Sequence, residues 1–425
     1  MSNRKKSWAL LALLVTSPSY SGETLEQAFE EAVANNQLIF AAKANSEAAE
    51  QRIFAAEGQR LPQVNISGGY TQLSETPSVN TTVGGQPASF AMGEAGSGDT
   101  QAMLSMPVFT GGRIGHSIEA AEASALASQH NEVVTALNIK LQVANAFIAI
   151  FRAEKALEVA LSHVKSLKSH AHDVRNLYEQ GMVARNDLLA SQVKFSNAEQ
   201  IVLQTENRLF VAKAHFNQLL NRDLQAEVNL LEQFPPLPAG DFSHLSGQAL
   251  TTRTELKALS EQVHALEQQA AGVDASLWPQ VSVSGGYQYT QNRYQKYEGM
   301  WMANANVQWQ LFDGTRGHRS DALNSQARSI NLQRNDLITS INLQVRRAYL
   351  DVRETNKRVE VTQQAISQAD ENLKVSTDRY QEGLASNTEV LDAEDLRVGT
   401  YDNYNNARYD AVMANLNLRR ALGIL

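Results

Sequence analysis

From Trp301 to Leu311 every odd position is Trp, Ala, Val or Leu, while the even ones are Met, Asn, Asn, Gln and Gln. Such period-two alternation predicts a strand with one apolar and one polar face. Its length matches one bilayer crossing, since a tilted spanning strand takes ~9 to 11 residues. "VNISGGYT" sets Val64, Ile66 and Tyr70 against Asn65, Ser67 and Thr71, and "VSVSGGYQYT" repeats this with Val281, Val283, Tyr287 and Tyr289. Residues Gln101 to Val108 give a fourth, weaker strand. Tyr287, Tyr289, Tyr294, Tyr297, Trp301 and Trp309 gather near strand ends, as interfacial aromatic girdles do. A half-buried soluble hairpin is the competing reading.

Elsewhere the pattern turns helical. No Pro interrupts Arg113 to Tyr178 or Arg316 to Tyr380, and at 1.5 Å per residue each run reaches roughly 100 Å, a coiled-coil length. Behind the first run Leu188, Ser191, Phe195, Ala198, Val202, Thr205, Leu209, Ala212, Phe216 and Leu219 step by 3 and 4. The same phase 202 residues later gives Val390, Ala393, Arg397, Thr400, Tyr404, Ala407, Ala411, Ala414, Leu418 and Ala421, a smaller and more polar seam.

That offset marks a duplication. "PQVNISGGY" (62–70) returns as "PQVSVSGGY" (279–287), "VFTGGR" (108–113) as "LFDGTR" (311–316), and "YEQGMVARNDLLASQ" (178–192) as "YQEGLASNTEVLDAE" (380–394). The chain therefore divides into a first unit, 22–231, and a second, 248–425, joined by the Pro-rich linker 232–247. Strands are expected at about 62–73, 100–110, 279–291 and 301–312, and coiled-coil helices at about 113–178, 186–221, 316–380 and 387–422. Leu73 to Asp99 is polar and Gly-rich, and reads as a long extracellular loop. A spanning sheet cannot leave unpaired edges in lipid, and four strands are fewer than the ~8 of the smallest single-chain barrel, so copies must associate. Two copies would give eight strands and three would give twelve.

Composition narrows the class. The net charge of -8 comes without a clustered basic patch, which argues against nucleic acid as a partner. Arg4, Lys5 and Lys6 precede the apolar run Trp8 to Val15 and small residues at Ser19 and Ser21, so residues 1–21 read as a signal peptide. No later segment reads as long and apolar enough for a spanning helix, and the absence of cysteine excludes disulfides and a lipidated N-terminal cysteine. No catalytic constellation, metal cluster or cofactor motif is present: His170 and His172 do not share a helix face, and the histidines are expected on the surface. The chain reads as no enzyme.

The repeated corners contain helix-ending glycines, Gly181 and Gly383. Ser386 with Glu389 fits a capping box, and Glu389 and Asp392, three apart, share a helix face.

Together, the "LPQVNISGGY" and "WPQVSVSGGY" strand starts, the "PVFTGGR" and "LFDGTRG" strand ends, the two corners and the closing "ARYDAVMANLNLRRALG" resemble the TolC family of outer-membrane efflux and secretion ducts. The resemblance implies a mainly α fold with a membrane β-barrel portion: a homotrimer whose strands make one twelve-stranded barrel, continuous with a periplasmic coiled-coil tunnel. It implies a passive duct of a tripartite efflux pump or type I secretion system. Its partners would be a periplasmic adaptor (membrane fusion) protein and an inner-membrane transporter of RND, ABC or MFS type. The corners become the periplasmic tips, with Gly181, Met182, Val183, Ala184, Gly383, Leu384, Ala385 and Ser386 as adaptor contacts. Glu389 and Asp392 match the family's acidic constriction. Tyr380 and Asp187 match its latch, whose basic member two residues after the second glycine is missing, Ala385 standing there, so Arg185 is expected to supply the charge. The rival reading is a periplasmic coiled-coil adaptor or scaffold without a barrel.

Overall fold

The computed structural model describes residues 22–425, so the expected signal peptide lies outside the described residues. Two similar units follow one another. The first contains α1 (Leu25–Asn35), α2 (Gln37–Gly58), β1 (Gln63–Gln72), β2 (Ser78–Val83), β3 (Gln86–Ala91), β4 (Gly96–Phe109), α3 (Arg113–Glu179) and α4 (Arg185–Leu219). The second contains α5 (Phe242–Thr252), α6 (Thr254–Asp274), β5 (Gln280–Thr290), β6 (Gly299–Gln308), α7 (Arg316–Gln381) and α8 (Asn387–Leu422). The stretch after Pro238 is not all linker, because Asp241 caps α5 by accepting from the His244 amide.

β1, β4, β5 and β6 form one antiparallel sheet in the order β1-β4-β5-β6. Its register sorts side chains by chemistry, since directly paired residues share a face. Ile66, Ala102, Tyr287 and Trp301 form one row across all four strands, and Val64, Leu104, Gly285 and Ala303 the next. The alternate rows, Ser67–Gln101–Gln288–Met300 and Gln63–Ser105–Ser284–Asn304, lie on the other face. Tyr287 and Trp301 meet edge to face at 5.4 Å. Every β1 residue is exposed, and among the described residues the outer edges of β1 and β6 are unpaired.

The expected loop 73–99 is instead largely a second hairpin, β2–β3, turning at Gly84 and Gly85. Both glycines have positive φ, 60° and 83°, which the two-residue turn of a twisted hairpin requires. The Gly-Gly pair directly after the β-branched stretch Val79 to Val83 carried that signal, but the polarity of the segment outweighed it.

The long helices have 67 and 66 residues. α3 includes a stretch long and apolar enough to cross a membrane, correcting the expectation that no such segment follows the leader. Here the apolarity serves packing. Val143, Phe147 and Ile150 are fully buried in a core shared with α1, Phe216 of α4 and Tyr409 of α8, and a helix covered on several sides becomes apolar all round. Phe147 meets Phe151 at 5.4 Å and Phe216 at 6.0 Å, and Phe151 stacks on Tyr409 at 6.0 Å. Arg222, just past α4, ion-pairs with Glu23 and Glu31 and ties α1 and the residues before it to the end of α4. Both predicted heptad seams face inward. α8 adds a second buried row, Leu391, Glu394, Tyr409 and Leu416, because it packs on α3 as well as α7.

Candidate functional site

The two corners end their long helices identically. At the first, Gly181 has φ 75°, its amide donates to the Tyr178 carbonyl, and the Met182 amide reaches Leu177 at 2.9 Å. At the second, Gly383 has φ 72°, and the Leu384 amide reaches Arg379 at 2.7 Å. This is the paired-bond helix stop that a glycine in the left-handed region permits. Its geometry exposes one large apolar side chain per corner, Met182 and Leu384, while the next residues, Val183 and Ala385, tuck against the Tyr380 cluster. Ala184 and Ser386 are exposed.

The restarts differ. α8 begins with a reciprocal capping box, Ser386 bonding the Glu389 amide and Glu389 the Ser386 amide. α4 follows Ala184, which offers it no side-chain cap. The Glu389 carboxylate also lies 3.9 Å from the Arg379 guanidinium, which donates to the Leu384 carbonyl. Asp392 is exposed. Arg185 is exposed too, and among the described residues it has no ion-pair partner. The cation that meets Glu389 among the described residues is therefore Arg379, visible in the sequence as the basic residue of the last helical turn.

Tyr380 is buried with Val174 and Val390, its ring 5.4 Å from that of His170. Its hydroxyl has no hydrogen-bond partner among the described residues. Burial first, and then the charge of Asp187, raise its pKa, so Tyr380 and Asp187 are brought near each other without a bond. What joins the corners inside the chain is Asn387. Its amide oxygen meets His170 Nε2 at 2.7 Å and Ser191 Oγ at 3.1 Å, and its Nδ2 donates to the Asp187 carbonyl at 3.3 Å. Asn387 occupies the place that Arg185 holds in the first unit. Its partner His170 is 217 residues away in the chain, so nothing local announced the contact.

Two turns along α8 lies a second buried polar layer. Glu394 accepts from His163 at 3.0 Å, Ser166 at 2.9 Å and Arg397 at 2.9 and 3.2 Å. Burial pushes its carboxyl up, but these bonds prevail and hold it below the usual carboxylate range. His163 and His170 are thus buried, correcting the expectation of surface histidines: each meets a polar partner on α8 that the sequence did not pair with it.

A sequence model of the family described as outer membrane efflux protein matches residues 28–222 and 245–424. The chain is 21% identical over 436 residues to outer membrane protein TolC of Vibrio cholerae serotype O1, covering 97% of this chain and 94% of that protein. Among solved structures it is similar to the outer-membrane channel OprN (TM-score 0.78, 19% identity, 94% of this chain and 89% of that one). It is likewise similar to VceC of Vibrio cholerae (0.77, 18%, 94% and 96%) and to CusC (0.79, 18%, 94% and 92%).

Proposed function

The chain belongs to the outer membrane efflux protein family, a family of outer-membrane channels rather than enzymes, and on that premise we propose that it is the passive exit duct of a tripartite efflux pump or type I secretion system. One observation carries the reading. A four-stranded sheet with one apolar face, one polar face and two open edges runs directly into helices of 67 and 66 residues. In lipid those edges must pair, and three copies joined β6 to β1 give twelve strands around a polar lumen. The helices, about 100 Å long, then carry the tunnel through the periplasm. A coiled-coil adaptor has no use for a one-sided apolar sheet of spanning length. Heat-resistant oligomers in the outer-membrane fraction support the duct, and a soluble periplasmic monomer overturns it.

The corners are the periplasmic end, where the adaptor and the inner-membrane transporter dock. Met182 and Leu384 are the apolar contacts, and crosslinkers placed there should trap adaptor. Exposed Glu389 and Asp392 form an acidic gate when three copies bring them to one axis, since crowded carboxylates recruit cations. E389A/D392A should abolish block of single-channel conductance by multivalent cations, and unchanged block removes them from the gate. Arg185 reaches outward to a neighbouring copy, completing a latch with Asp187 and Tyr380. R185E should raise closed-state conductance, and no change excludes Arg185 from gating.

A further inference from the structure

The repeated strand ends "FTGGR" and "FDGTR" place Arg113 and Arg316 at the first positions of α3 and α7, where the sheet passes into the helices. The fold brings these two arginines together. They line one cavity of about 650 Å³ with Arg52 of α2 and Arg319 of α7, floored by Ser117, Ser124 and Gly272. The cavity thus crosses α2, α3, α6 and α7 beside the ends of β4 and β6.

Its charge is unbalanced. Four guanidinium groups face one carboxylate, Asp313, and among the described residues none of the four arginines forms an ion pair. Asp313 is already committed, accepting at 2.8 Å from both the amide and the hydroxyl of Thr315. The nearby Asp274 accepts from Ser320 at 2.9 Å. Arg316 is half-buried, and its Nη1 is a buried donor without a hydrogen-bond partner among the described residues, an unfavourable state for a charged donor. Neither α3 nor α7 has a side-chain cap, so the positive ends of two long helix dipoles add to the same field.

We propose that this cavity is an oxyanion site, taking a phosphate-type group between Arg113 and Arg316, with Arg52 and Arg319 at its rim. Guanidinium forks suit such a group because they bind its oxygens in pairs. The chemistry fits the phosphate of an anionic lipid headgroup and a free anion in the tunnel alike.

The test uses the full-length channel purified in detergent, titrated with inorganic phosphate in a calorimeter. Saturable binding of one phosphate per chain is expected, weakened about tenfold or more in R113Q/R316Q. R52Q/R319Q, which keeps Arg113 and Arg316, should weaken it as well, and R328Q at an exposed position of α7 outside the cavity should not. The same proteins in nanodiscs of phosphatidylcholine with phosphatidylglycerol are then weighed by native mass spectrometry. Arginine-dependent retention of phosphatidylglycerol identifies the headgroup as the source. Phosphate binding without lipid retention identifies an anion of the tunnel. No saturable binding of either, or binding that survives in both folded double variants, overturns the site.

Discussion

Replacing Arg397 by Ala tests the buried polar layer of α8 directly. Glu394 is 2% exposed at its side chain and Arg397 16%, and the variant deletes two hydrogen bonds to the carboxylate at 2.9 and 3.2 Å. Breaking a buried ion pair from one side costs about 3–5 kcal/mol. Two features lower that figure here. His163 and Ser166 still hold the carboxylate, and Arg397 borders a groove between α3, α7 and α8 through which water can enter. A loss of about 2–3 kcal/mol is therefore expected. The double variant E394L/R397M removes both charges and should recover most of it. In the wild type, Glu394 is held below its unfolded value, so its stabilisation is complete above about pH 4.3 and fades as pH falls through its lower folded value. Guanidinium unfolding of the helical circular dichroism in detergent measures each quantity. A loss under about 0.5 kcal/mol in R397A, or an equal loss when Glu394 is already Leu, refutes the reasoning.

Other regions give their own outcomes. Phe147→Ala empties the centre of an aromatic cluster that includes Phe151 and Phe216, and should cost about 3–5 kcal/mol in the same unfolding measurement. Gly383→Ala forces a side chain onto φ 72° with no steric neighbour, so only the backbone penalty applies. About 1 kcal/mol of stability should be lost, with no change in assembly. Trp301→Arg, on the apolar face of the sheet, should reduce outer-membrane insertion by an equivalent of about 2–4 kcal/mol, while Asn304→Arg on the opposite face should leave insertion unchanged and alter conductance. Quantitative fractionation of membranes separates those two.

Features with a short period were legible in the sequence. The alternation at Trp301 to Leu311 and the heptads from Leu188 and Val390 follow from backbone geometry alone, and the 202-residue offset ties the two corners together without any contact. Features built by long-range contact were not legible. His170 and Asn387 meet across 217 residues, and His163 and Glu394 across 231, so neither could be distinguished from solvent-facing polar residues. The second buried row of α8 stayed hidden for the same reason, since one heptad describes one neighbour and α8 has two. The apolar stretch of α3 had the opposite problem: composition alone does not separate a helix packed on several sides from one bathed in lipid. For the proposed gate the sequence named Glu389, Asp392, Tyr380, Asp187 and Arg185. That Arg379 is the cation beside Glu389 within the chain depended on how the helix stop at Gly383 folds back.

A sheet that separates lipid from an aqueous lumen is directly measurable here, because the chain has no cysteine of its own. Asn304→Cys and Ala303→Cys place single thiols on the polar and apolar faces of β6. In planar bilayers, a charged, water-soluble methanethiosulfonate should lower the conductance of the first and leave the second unchanged. Equal modification of both positions, or no conductance from the purified protein, contradicts the account.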